Sequence, residues 1–430
     1  MKRTIAALTL LAACASSQPA PPDRQPCPDP QLPPTAEVPL KQPIPSPLRD
    51  YFAAKDAAEK ERALAALDAI PVPRGPAERA RQLRGALARP MRTGTRFQED
   101  LGDPALPTLV SIPEGYDPTR LYPAVVSLDA MCASASASLG VFVPLDPKDT
   151  PSLDWTDGIV IAPEFPIHPL LDEFDAENFT RARARVLEAI SRANRQFAID
   201  PDRLVIAGLS MGSALAMSMG AWNPDRFAAV AQVSGGCPQH PTPLQNMRTL
   251  QLYIMHGDQD TTVDVSVSHE NYATLHGKMG VPCVLDIIKG GNHTWPDPAT
   301  EGARLGKWLH EQKRNAWPAE LDLIIKASQG PRSRIYWIDL PAFPKNNGIK
   351  AKVSDNVIAL DGPGGFPSVT LHLGEPLVDL EREIVVTWKG QEVWRGKLER
   401  SWRTLLADLE AEGWDTVLAA PARVEVKLGP

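Results

Sequence analysis

From about residue 107 to residue 314, short apolar runs alternate with longer amphipathic stretches, and this alternation restricts the fold more than any other feature of the chain. Strands are predicted over residues 108–112, 124–128, 158–162, 204–207, 229–234, 251–256 and 283–288. Helices are predicted over 181–197, from Met211 onward, around 269–279 and over 300–314. Repeated strand, helix, strand units require a mostly parallel sheet covered on both faces. Beyond about residue 319 the helices thin out. Residues 333–339, 349–354, 357–360, 368–373, 384–389 and 391–395 read as short strands, with a hairpin turn at Trp388-Lys389-Gly390-Gln391, a helix over 402–410 and a last strand over 423–427. The expected architecture is therefore an α/β domain over 107–318, followed by a small β-rich domain over 319–430.

The segments ahead of residue 107 are of three kinds. Lys2 and Arg3 precede an apolar run over 4–13, too short for a stable membrane-spanning helix, and then Cys14. Residues 1–18 thus read as a targeting signal and the start of the mature chain. Leu11-Ala12-Ala13-Cys14 resembles the lipobox of bacterial lipoproteins, which implies lipidation at Cys14, and Ala15 after it resembles members sorted to the outer membrane. The alternative is an ordinary signal peptide cut near Ala13-Cys14-Ala15-Ser16. Residues 19–48 are dense in proline and read as a semi-extended tether. Residues 49–106 read as a helical segment, with helices over 51–70 and 77–89 expected to pack on the main domain.

Lys and Arg total 45 against 52 Asp and Glu, mixed along the chain, so nothing here favours nucleic acid as a partner. Of the five cysteines, Cys14 and Cys27 lie ahead of the folded part, and Cys132, Cys237 and Cys283 show no metal-type spacing. Two readings stand: a Cys132–Cys237 disulfide, which export permits, or three free thiols.

Gly208-Leu209-Ser210-Met211-Gly212 falls where a predicted strand gives way to a predicted helix. A sharp turn there lifts the Ser210 hydroxyl clear of the sheet, flanking glycines avoid backbone collisions, and the Met211 N–H points at developing negative charge. A serine nucleophile needs a base, and the base an orienting acid. Two downstream strands run into suitable loops, one holding Asp258, Asp260 and Asp264, the other Gly290-Gly291-Asn292-His293. His293 is the expected base, and His256 is expected to brace its loop.

Four stretches carry a family resemblance: Val110 to Asp117 with Tyr122 to Val126, Gly208 to Gly212, His256-Gly257-Asp258-Gln259-Asp260, and Gly291 to Pro296. Over roughly residues 107–314 the chain resembles the α/β-hydrolase esterases grouped with polyhydroxybutyrate depolymerases, feruloyl esterases and prolyl-oligopeptidase-like bacterial hydrolases. The resemblance favours Asp260 as the acid, through an H-G-x-x-D-x-x-V pattern, and implies the α/β-hydrolase fold. It implies a serine esterase working through an acyl-enzyme on a small-molecule or polymer-linked ester, with no metal or organic cofactor. One departure matters. Where the family has His-Gly after the strand at 124–128, this chain has Asp129-Ala130-Met131, so the second oxyanion-hole donor, beside Met211, is implied to be the N–H of Ala130 or Met131. An inward, dry Asp129 would repel the oxyanion, whereas an outward one would hold the loop. Ser213 stands at a position that is commonly glycine. Two other readings follow: a prolyl-oligopeptidase-like peptidase, although the chain lacks that group's propeller, and a non-catalytic surface binding module. The terminal domain resembles small β-domains attached to such hydrolases, expected to pack beside the catalytic domain or support substrate approach. Its Trp337, Trp388, Trp394 and Trp402 are either a carbohydrate platform or core. The implied location is the cell envelope, with a lipid anchor in the outer membrane.

Overall fold

The computed structural model describes residues 43–87, 89, 95–99, 107–130, 133–165, 176–236, 242–325, 334–340 and 347–428. The main sheet runs in the order β1 (Arg96–Glu99), β2 (Thr108–Ser111), β4 (Ile159–Pro163), β3 (Tyr122–Leu128), β5 (Ile199–Leu209), β6 (Ala229–Val233), β7 (Gln251–Gly257), β8 (Cys283–Ile288). β2 is antiparallel to both β1 and β4, and every pair from β4 through to β8 is parallel. β3 pairs with both β4 and β5, so the chain crosses over β3 on its way between them. The carboxyl ends of β3 and β5 therefore lie side by side where the crossovers diverge, the place where open α/β sheets leave a crevice.

Alternate strand residues feed two cores. Ala124, Val126, Leu204 and Ile206 face one, which α5 (Ala176–Gln196) covers through Phe179, Ala182 and Val186, and α6 (Met211–Trp222) through Leu215 and Met219. Val125, Val205 and Ala207 face the other, covered by Leu139 of α4 (Ala135–Gly140) and by Leu305 and Leu309 of α8 (Ala303–His310). Burial on both faces is why these strands read as unbroken apolar runs, each fully buried Val, Leu or Ile contributing about 1.5–3 kcal/mol.

The amino-terminal segment differs from expectation in three ways. The helix expected over 51–70 is two, α1 (Ser46–Ala53) and α2 (Ala57–Leu67), because Asp56 caps the second by accepting the Glu59 N–H at 2.8 Å. The helices, with α3 (Pro76–Ala86), do not rest on the main domain's cores. Leu48, Tyr51, Leu67 and Leu83 instead share a core with Trp402, Leu405, Leu406 and Leu409 of α9 (Trp402–Ala411) in the terminal domain. Those four residues form an apolar stripe at helical spacing that requires a cover. Finally, β1 lies within 49–106 and yet joins the main sheet, so that segment is not wholly helical.

The terminal domain holds two facing sheets, β10 (Arg334–Ile335), β11 (Ile338–Asp339), β14 (Ser368–Leu373), β17 (Ala422–Lys427) and β16 (Gln391–Gly396), β15 (Ile384–Trp388), β13 (Val357–Asp361), β12 (Asn347–Ser354), β9 (Glu320–Ile325). Trp337 and Trp388 lie in the core between them and Trp402 in the helical core, all at most 3% exposed, which takes those three out of any carbohydrate platform. The hairpin turn at Lys389-Gly390 forms as expected, both residues having positive φ (50° and 79°). The strand expected over 333–339 is instead a tight β10–β11 hairpin with Tyr336 at its turn, φ 57°. Among the described residues no helix is long and apolar enough to cross a membrane.

Candidate active site

β5 ends at Leu209, and Ser210 takes φ 54° and ψ −116° before α6 begins at Met211. Such a conformation costs a non-glycine residue roughly 1–3 kcal/mol and persists only where its surroundings over-determine it. Those surroundings are visible. The Ser210 N–H donates to Val233 O at 3.0 Å, and Ser210 O accepts both the Ser213 N–H at 3.1 Å and the Ser213 hydroxyl at 2.8 Å. Ser213 is thus a brace of the turn. A Cβ on Gly208 would stand 2.2 Å from Gly212 O, and one on Gly212 would stand 2.1 Å from Leu128 O. Both glycines are dictated by close backbone approach, and the second presses the serine turn onto the end of β3.

Of the three competing aspartates, the geometry singles out one. Asp258 Oδ1 accepts the Gly290 N–H at 2.6 Å, tying the β7 loop to the β8 loop. Asp264 accepts the Ser266 N–H at the start of α7 (Ser266–Tyr272). Asp260 Oδ2 accepts from His293 Nδ1 at 2.7 Å and from His256 Nε2 at 3.0 Å, while Oδ1 accepts the N–H groups of Thr262 and Val263, both at 2.8 Å. Burial acts to raise the Asp260 carboxyl, but hydrogen bonds from His256, His293 and the Val263 N–H outweigh it and hold the group well below the usual carboxylate range. An ionised carboxylate only accepts, so His293 carries its proton on Nδ1 and keeps Nε2 as a lone pair. Its side chain is 18% exposed, open enough to meet a substrate, whereas that of Asp260 is fully buried.

His256, expected as a brace, has Nδ1 2.7 Å from Ser268 Oγ and Nε2 facing Val263 O and Asp260. It fixes the loop from beneath.

Asp129 is half-buried and holds its loop. Its Oδ1 accepts the N–H of Ala130 at 2.7 Å and the indole N–H of Trp295 at 2.9 Å. Burial pushes its carboxyl up, and those two bonds only partly offset the push. The Ala130 N–H, one of the two implied oxyanion donors, is therefore already engaged. Met131, the other, lies outside the described residues, as do Cys14, the Cys132 and Cys237 proposed as a disulfide, and the whole of 1–42. Cys283 lies on β8, and among the described residues no group of three His, Cys, Asp or Glu could hold a metal. Sequence reasoning missed the Asp129–Trp295 contact. The tryptophan two residues past His293 was its available signal, but nothing in one sequence pairs it with residue 129.

Strand order and strained serine turn together define an α/β-hydrolase fold whose Ser210, His293 and Asp260 come from the carboxyl ends of β5, β8 and β7. Residues 163–300 match the family model described as Phospholipase/Carboxylesterase. A protein of Nocardia uniformis subsp. tsuyamanensis named as an esterase, NocK, is 32% identical over 83 residues, 19% of this chain and 22% of its own length. The match thus spans about a fifth of that relative. Among solved structures, the esterase PE8 overlays 47% of this chain and 96% of its own at 18% identity and a TM-score of 0.37. A CE1 ferulic acid esterase from Anaeromyces mucronatus overlays 51% and 90% at 12% identity and a TM-score of 0.38.

Proposed function

We propose that the chain is a serine hydrolase of carboxylic esters. The observation that carries this reading is the His293 Nδ1 to Asp260 Oδ2 contact at 2.7 Å, in a chain whose Ser210 occupies a strained strand-to-helix turn. His293 Nε2 takes the hydroxyl proton as Ser210 Oγ bonds to the ester carbonyl carbon. The oxyanion is held by the Met211 N–H, one of the first N–H groups of α6 and so without an intrahelical partner. The ester C–O bond breaks, the alcohol departs with the proton from His293, and a water activated by the same imidazole attacks the acyl-enzyme to release the acid. That Asp129 Oδ1 accepts the N–H groups of Ala130 and Trp295 supports the catalytic reading over the non-catalytic one.

The test is turnover of a short-chain nitrophenyl ester by the full-length chain and by Ser210→Ala, with fluorophosphonate labelling in parallel. Wild-type turnover and labelling, both lost in a folded Ser210→Ala, support the reading; equal turnover in the two ends it. The lipid anchor at Cys14, and with it an outer-membrane location, is part of the proposal. Mass analysis of the amino-terminal peptide checks it, an unacylated terminus ruling it out.

A further inference from the structure

Leu128 at the end of β3 pairs with Gly208 of β5, and the carbonyls of Leu128 and Asp129 press on Gly212, where a Cβ would stand 2.1 and 2.4 Å away. The β3 loop is therefore the floor against which the serine turn is set. The same loop reaches the histidine loop through Asp129 Oδ1, which accepts the Trp295 indole N–H at 2.9 Å. Trp295 stands two residues past His293, and its ring meets fully buried Phe142 edge-on, centroids 6.0 Å apart. The indole is thus held at its N–H end and at its ring. Ser210 and Gly212 lie on one turn, Gly212 packs against the Asp129 carbonyl, Asp129 bonds to Trp295 two residues past His293, and His293 bonds to Asp260 of the β7 loop.

The geometry points to Asp129 and Trp295 as a positioning pair that ties the histidine loop to the floor of the serine turn and so sets how His293 approaches Ser210. The inference rests on reading Ser210 and His293 as the reacting pair. Neither member of the tie touches the reacting atoms. What the tie requires of residue 129 is an acceptor oxygen, not a charge, and what it requires of residue 295 is the indole N–H.

Four variants of the full-length chain separate these requirements. Asp129→Asn keeps an acceptor oxygen and is expected within about threefold of wild-type kcat. Asp129→Ala and Trp295→Phe are expected to lose about 10- to 100-fold in kcat with KM within about twofold, the scale of a misplacement near 1 Å. The double variant Asp129→Ala/Trp295→Phe should be no worse than the poorer single one, as for two partners in one contact. Wild-type kcat in Asp129→Ala or Trp295→Phe, an Asp129→Asn as impaired as Asp129→Ala, or additive losses would each overturn the pair. Hydrogen exchange of the Trp295 indole in ¹⁵N-tryptophan-labelled protein supplies a readout without turnover. Protection in wild type and Asp129→Asn that disappears in Asp129→Ala supports the tie, and protection unchanged in Asp129→Ala overturns it. If wild type cleaves no ester and takes no fluorophosphonate while protection still depends on Asp129, the esterase reading fails and the tie stands.

Discussion

Asp260→Asn exchanges one oxygen for an amide nitrogen at the point where two imidazoles converge. Oδ1 receives two backbone N–H groups, from Thr262 and Val263, so the asparagine carbonyl has to take that side. Its NH₂ then replaces Oδ2 and faces His293 Nδ1 and His256 Nε2, both of which donate to the carboxylate. Donor opposes donor at both contacts. His293 can accept from the amide only by moving its proton to Nε2, the atom that has to receive the Ser210 proton. A tautomer error of this kind in a serine triad costs about 10⁴ in kcat, about 5.5 kcal/mol of barrier. His256 already makes its Nδ1 contact to Ser268 and keeps Val263 O, so the added stability cost is that of one frustrated buried group, about 1–3 kcal/mol. Kinetics with a nitrophenyl ester, alongside thermal unfolding, read the two effects separately. A folded Asp260→Asn within tenfold of wild-type kcat would refute the assignment, and so would an equal loss in Asp258→Asn.

Gly212→Ala places a methyl 2.1 Å from Leu128 O, a backbone contact that yields only if β3 and α6 separate. About 1–3 kcal/mol of stability and about 100-fold in kcat should be lost, and calorimetry and kinetics matching wild type would remove the close-approach explanation. Acid should destabilise the chain over a defined window. Asp408 is subject to burial, which raises its carboxyl, but Arg334, His372 and the Ala420 N–H hold it down to about 2, against 3.8 for the free side chain. A depressed carboxyl contributes stability in full above the free value and loses it as pH falls, here between about 3.8 and 2, with Asp260 adding a loss that runs lower still. Urea unfolding from pH 5 to 2.5 tests this, and a slope unchanged in Asp408→Asn would contradict it.

The sheet was legible because crossovers impose burial on both faces, and residues such as Val125, Ile206 and Ile254 leave no polar alternation to mislead. The serine turn was legible for the opposite reason: Gly208 and Gly212 are locally wasteful, and only a backbone collision explains them. The edges were not. β1 and β9 each carry charged residues, Arg96 and Glu320 among them, and pairing at a sheet margin leaves little trace in composition. The amphipathic faces of α1 to α3 announced a buried side without naming what would cover it, since a stripe of Leu and Ala fits any apolar neighbour. Asp129 illustrates the same limit at the site: its type was conspicuous, but its direction depends on Trp295, 166 residues further on.

Among the described residues, the terminal domain docks away from Ser210 and His293. Its Tyr336 meets the hydrolase domain at Asp225 ahead of β6 and Thr249 ahead of β7, and its Asp415 meets Arg314, which also reaches Asp202 near the start of β5. Arg314 donates to Asp415 at 2.7 and 2.9 Å and to Asp202 at 3.0 Å; Tyr336 donates its N–H to Asp225 at 3.1 Å and its hydroxyl to Thr249 at 2.6 Å. All of these lie at the amino edge of the parallel strands, whereas Asp129, Ser210, Asp260 and His293 follow the carboxyl ends of β3, β5, β7 and β8. A cleft of about 650 Å³ at this junction, between Asn246, Arg248, Lys350 and Lys389, is likewise separate from the triad loops. Arg314 and Asp415 are at most 4% exposed, and either one left buried without the other would cost about 3–5 kcal/mol. Such pairs add little net stability, but they penalise every arrangement in which the two domains part or slip. Of the two expectations for the terminal domain, these contacts fit the one in which it packs beside the hydrolase domain, along the amino edge of its strands.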